Sequence, residues 1–122
     1  MVGGAFGERS QPMMAELDTL LAPDFAVYIY DRRGRGASCD SPHYAVEREI
    51  EDLNSLIFEA GGSACVLGIS TGAVLALEAA ACGLGMARLA LYEPPFTIDD
   101  MRPAVPENYP ELIGSGRRGG AV

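Results

Sequence analysis

Residues 64 to 82 constrain this chain more than any other stretch. A short apolar run, Ala64-Cys65-Val66-Leu67, meets Gly68-Ile69-Ser70-Thr71-Gly72 and passes without a break into an alanine- and leucine-rich segment. A change from strand period to helix period within two residues leaves room for only a sharp turn. The pattern therefore predicts a strand over 65–69, Ser70 at the tip of the turn and a helix over 71–81. Gly68 and Gly72 have a steric task in that geometry, because strand and returning helix pass too closely for side chains. The same turn points the Ser70 hydroxyl into a cleft and sets the Thr71 N–H at the positive end of the helix. Gly-x-Ser-x-Gly alone is a weak signal that an ordinary Gly/Ser turn would also produce. The flanking strand and helix favour a turn that presents a nucleophilic serine.

Composition removes several function classes. At 122 residues the chain is one small domain at most, with a formal charge of −8 that argues against nucleic acid or an anionic membrane as partner. All nine basic residues are arginine. A Schiff-base lysine, a phosphate-loop lysine and a lysine general base are therefore excluded within this sequence. Cys39, Cys65 and Cys82 are odd in number and widely spaced, which suits reduced thiols in a cytoplasmic protein better than disulfides or a metal centre. No metal and no cofactor is expected. No apolar run reaches ~18 residues and no signal peptide is visible, so a soluble, untargeted protein is expected.

Strands and helices are expected to alternate along the chain. Met1-Val2 reads as the end of a strand, followed by the turn Gly3-Gly4-Ala5-Phe6-Gly7. Ser10 is the expected N-cap of a helix with Met13, Met14, Leu17, Leu20 and Leu21 at three- and four-residue spacing. Residues 25–30, rich in aromatic and β-branched side chains, predict a buried strand, and the charged loop Asp31-Arg32-Arg33-Gly34-Arg35-Gly36 follows. A helix over 43–59 places Val46, Ile50, Leu53 and Ile57 on its core stripe, with Glu47, Arg48, Glu49, Glu51 and Asp52 facing mostly away. The strand carrying Cys65 is expected to be buried. The helix over 71–81 has one charge, Glu78, and is expected to be nearly enclosed. A last strand is expected over 88–92. Such alternation implies a parallel sheet of about four strands flanked by helices, with reactive groups at the carboxyl ends of the strands. Those ends are Gly3-Gly4-Ala5, Asp31-Arg32, Ser70 and Glu93-Pro94. Beyond Pro95 the pattern dissolves into a proline-rich stretch.

The chain resembles the α/β-hydrolase superfamily, in particular bacterial members with a Tyr-Asp-Arg-Arg-Gly-Arg-Gly loop. The segments that carry the resemblance are 2–7, 30–36, 44–53, 68–72 and 91–96, in the family's order. The resemblance implies a partial α/β-hydrolase fold, truncated at both ends. Residues 1–96 would form the N-terminal part of the core, and residues 97–122 a linker or the start of a helical cap. It further implies Ser70 as nucleophile, with the backbone N–H of Ala5 (Phe6 being the alternative) and of Thr71 as oxyanion donors. Glu93 stands where a few members place their acid, and is expected to line the site or brace the turn at Pro94-Pro95. The family's triad runs serine, acid, histidine, yet the sole histidine, His43, precedes Ser70 and is expected to be a solvated loop residue.

Three functional readings follow. The first is part of a serine hydrolase that acts on a small-molecule ester, amide or thioester and is inactive alone for want of the histidine. The second is a non-catalytic remnant, or a half-protein that self-associates or pairs with a complementing C-terminal half, suggested by the missing histidine and open sheet edges. The third takes the glycine-rich opening turn as a nucleotide-phosphate loop, against which stand the absent lysine and the wrong glycine spacing.

Overall fold

The computed structural model describes residues 1–96. Its elements are α1 (Pro12–Leu21), α2 (Val46–Glu59), β1 (Ala64–Ile69), α3 (Thr71–Ala81) and β2 (Met86–Tyr92). Strands β1 and β2 are parallel and joined through α3, with Gly68 opposite Leu91 and Ile69 opposite Tyr92. Val2 lies on the other side of β1. Its N–H donates to Leu67 O at 2.8 Å, and its carbonyl accepts from Ile69 N–H at 3.0 Å. The expected linker or cap at 97–122 falls outside the described residues.

Helix α2 and helix α3 cover one face of this sheet. Leu53 and Ile57 of α2 meet Leu75, Ala76 and Ala79 of α3 over Val66 and Val2, and together these form the core. Full burial of a side chain such as Leu53 or Ile57 contributes about 1.5–3 kcal/mol, so these two residues account for much of the α2 docking energy. Gly61 and Gly62, both at positive φ, close α2 with bonds from Gly61 N–H to Phe58 O and from Gly62 N–H to Ile57 O.

Several expectations are corrected. Residues 25–30 form no strand. The Met1 ammonium donates to Tyr28 O and Tyr30 packs against the core, while Phe25 and Tyr28 are exposed. A strand needs a ladder neighbour, and composition alone cannot supply one. The hydrogen-bonded sheet therefore has two strands plus the Val2 bridge rather than about four. Helix α1 starts at Pro12 without a side-chain cap, and the Ser10 hydroxyl turns to Glu8 instead. Cys65 is exposed, because strand alternation points it away from Val66 and from the face that α2 and α3 cover. Only one side of α3 is enclosed, with Leu77 and Glu78 exposed. Glu49 is 1% exposed, the reverse of its expected outward position. It shares a stripe with Leu53 and Ile57 at i, i+4 and i+8, and its charge is met from another element.

No helix among the described residues is long and apolar enough to cross a membrane.

Candidate active site

Strand β1 ends at Ile69 and α3 begins at Thr71, so Ser70 alone reverses the chain. It does so at φ 52° and ψ −123°, a left-handed backbone that is strained for any residue with a Cβ. Hydrogen bonds at both of its backbone groups hold it there: Ser70 N–H donates to Tyr92 O at 2.9 Å, and Ser70 O accepts from Ala73 N–H at 2.9 Å and Val74 N–H at 3.4 Å. The first ties the turn to the end of β2, the others to the first turn of α3. The flanking glycines are obligatory. A Cβ on Gly68 would lie 2.6 Å from Ala73 Cα, and one on Gly72 would collide with the carbonyl oxygens of Val2 and Gly3.

The opening segment closes over the same turn. A Cβ on Gly4 would approach Ser70 Cβ to 3.2 Å and its Oγ to 3.7 Å, so the backbone at Gly4 borders the serine directly. Gly7 N–H donates to Gly4 O at 3.1 Å, which folds residues 4–7 into a tight turn with Ala5 and Phe6 at its tip. Ala5 and Thr71 thus stand on the two backbone segments that flank Ser70. Among the described residues, neither amide is engaged by a backbone carbonyl.

Behind these segments lies a polar cluster that spacing alone did not reveal. Arg32 is 4% exposed. Its Nε and Nη2 bond the Glu49 carboxylate at 2.5 and 2.8 Å, while Nη1 reaches Gly3 O and Thr71 Oγ, each at 3.2 Å. The Tyr44 hydroxyl donates to Glu49 Oε1 at 2.9 Å, and Arg35 Nη1 lies 3.8 Å from Oε2. Burial alone would raise the Glu49 carboxyl, but the bonds from Arg32 and Tyr44 outweigh it and leave the group below its usual value. Burial and the neighbouring carboxylate push the Tyr44 phenol up. In the same loop, Asp31 accepts N–H bonds from Arg9 at 2.7 Å and Ala37 at 3.1 Å, and these hold its carboxyl below the usual range. The i, i+4, i+8 spacing of Glu49, Leu53 and Ile57 was the available sign that Glu49 turns inward.

The remaining candidates are less engaged. Glu93 follows β2 with φ 47° and an exposed side chain, next to the strand end that binds Ser70 N–H. His43 is exposed in the loop before α2. No cluster of three His, Cys, Asp or Glu side chains suited to a metal ion occurs among the described residues. An open apolar groove of about 960 Å³ lies elsewhere, lined by Val27, Leu56, Leu67 and Leu89 among others, with none of Ala5, Ser70, Thr71 or Glu93 on its wall.

The chain as a whole is similar to known proteins. Residues 2–121 match the alpha/beta hydrolase family. An alpha/beta hydrolase from Sphaerobacter thermophilus DSM 20745, of known crystal structure, superposes with a TM-score of 0.85 at 55% identity, over 98% of this chain and 48% of that one. The chain therefore spans about half the length of that protein. No curated protein matches.

Proposed function

From the premise that this chain belongs to the α/β-hydrolase family, we propose that it carries the nucleophile and oxyanion site of a serine hydrolase for a small-molecule ester, amide or thioester. The observation that carries this reading is the strained backbone of Ser70 between β1 and α3, bordered by the Gly4 turn. Strain of this kind, about 1–3 kcal/mol, persists where the surrounding packing over-determines a residue, and such residues cluster at active sites. In the proposed reaction, Ser70 Oγ bonds to the acyl carbon as its proton passes to a general base. The carbonyl oxygen gains negative charge between the Ala5 and Thr71 amides. Collapse breaks the bond to the alcohol, amine or thiol, which takes up the proton, and water then cleaves the acyl-serine ester.

The base is proposed to come from outside this sequence, because the family's histidine follows the serine and His43 precedes it. Glu93 is assigned a place beside the site at the end of β2. The exposed, unpaired thiols of Cys39, Cys65 and Cys82 favour a reducing, cytoplasmic setting.

A second reading, association with a complementing half, is favoured by the open apolar groove between residues 25–28, α2 and the strands β1 and β2. Further strands and helices of the fold would dock there, from the same polypeptide or from another. It is compatible with the first reading and bears on how the site is completed.

The test is acylation by a p-nitrophenyl ester in the complete polypeptide carrying these residues, followed by intact mass. Ser70→Ala is expected to abolish both the acyl adduct and turnover. Undiminished turnover in that variant overturns the proposal.

A further inference from the structure

Arg32 touches both backbone segments that flank Ser70, and it does so from a buried position. Its side chain is 5% exposed and that of its partner Glu49 is 2% exposed. The guanidinium is a rigid planar fork with five donors. Two of its nitrogens, Nε and Nη2, are committed to Glu49, so Nη1 is left pointing in a fixed direction. In that direction stand Gly3 O, at the entry to the 4–7 turn, and Thr71 Oγ, on the first residue of α3. Glu49 is in turn held by the Tyr44 hydroxyl from the loop before α2. One guanidinium thus connects the opening segment, the nucleophile helix and α2.

We propose that Arg32, held by Glu49 and Tyr44, is a positioning residue that sets the separation of the Ala5 and Thr71 amides and so the width of the oxyanion site. The proposal rests on the reading of those amides as oxyanion donors. Fixing Gly3 O orients the peptide that leads into the 4–7 turn, and with it the Ala5 N–H. Fixing Thr71 Oγ anchors the residue whose own N–H is the other donor. The Arg32–Glu49 pair is nearly neutral as a unit, so its effect on the site is geometric. Misplacing a catalytic group by about 1 Å can lower a rate roughly a hundredfold.

Two variants separate positioning from simple support of the fold. Arg32→Lys keeps a cation for Glu49 but lacks the fork that spans Gly3 and Thr71. Thr71→Val removes one acceptor and leaves the Arg32–Glu49 pair untouched. Arg33→Met, which breaks only the more exposed pair with Asp52, is the control. All are made in the complete polypeptide and followed by steady-state ester hydrolysis and by the amide resonances of Ala5 and Thr71. The expected result is a kcat lower by roughly ten- to a hundredfold in Arg32→Lys and roughly tenfold in Thr71→Val, with KM within about twofold. Both amide resonances should shift in Arg32→Lys and that of Ala5 in Thr71→Val, while neither shifts with Arg33→Met. Folded Arg32→Lys and Thr71→Val proteins with unchanged kcat and an unshifted Ala5 amide would overturn the proposal, as would an equal loss in Arg33→Met. The reading on which it rests fails separately, through a Ser70→Ala protein that still turns over. The amide shifts then decide by themselves whether Arg32 sets the turn.

Discussion

At the scale of single residues, Ser70 is the clearest case of a local cost accepted for a position. Its φ of 52° suits glycine, and its Cβ is held there by bonds to Tyr92 and Ala73 rather than by any preference of serine. Ser70→Gly should therefore relieve strain while removing the hydroxyl, whereas Ser70→Ala should remove the hydroxyl and keep the strain. We expect Ser70→Gly to be more stable than Ser70→Ala by about 1 kcal/mol, since relief of about 1–3 kcal/mol is partly offset by glycine's greater entropy in the unfolded chain. Urea midpoints of the two variants measure this. Equal midpoints would mean that the turn is not strained. The serine itself was legible from Gly68-x-Ser70-x-Gly72 and its flanks. Arg32 and Glu49 were not, because a charged residue on a helix reads as outward-facing until its partner, seventeen positions away, is known.

At the scale of elements, the loop after residue 30 behaves as a unit organised around Asp31. Its carboxylate takes N–H groups from Arg9 and Ala37, its carbonyl takes the Ser38 hydroxyl, and Arg9 Nε lies 3.3 Å from the carboxylate. Those N–H bonds favour the ionised form, so the folded-state pKa lies below that of the unfolded chain. The sign follows from proton linkage. The contribution of Asp31 is complete above the unfolded value of about 3.9 and is lost as pH falls through the lower folded value. Asp31→Asn should accordingly be less stable than the parent at pH 7, with the gap narrowing below about pH 4. Urea titrations at pH 7 and pH 3 would show it, and a gap that stays constant with pH would contradict it. The helices α2 and α3 and the strand β1 were legible to within a few residues because their periods are clean. The segment 25–30 was not, since its aromatic and β-branched residues record a tendency to pair but not whether a neighbour lies within reach.

At the scale of the whole molecule, α2 and α3 cover one face of the two-stranded sheet, and large apolar side chains stay exposed elsewhere among the described residues. Phe25, Tyr28 and Tyr92 are each about half exposed or more, and the groove of about 960 Å³ lies between residues 25–28, α2 and the two strands. Apolar patches of this kind on a small protein mark surfaces that meet something else. The 122-residue chain prepared alone is therefore expected to bind the dye ANS at neutral pH and to sediment faster as its concentration rises. A concentration-independent monomer without dye binding would show that these apolar surfaces are not open to solvent. The net charge of −8 opposes self-association, so added salt should strengthen it by screening.

By itself the sequence determined the strand–turn–helix around Ser70, the parallel βαβ order and the family to which they belong, because each depends on residues that are near neighbours in the chain. Only the tertiary structure decided that Gly4 borders Ser70, that Glu49 is buried, that residues 25–30 form no ladder and that Arg32 joins Gly3 to Thr71. Each of those is a contact between distant segments, and its free energy depends on which partner arrives. Burial turns a carboxylate from a surface group into a structural one only when a guanidinium meets it, and no local pattern records that meeting.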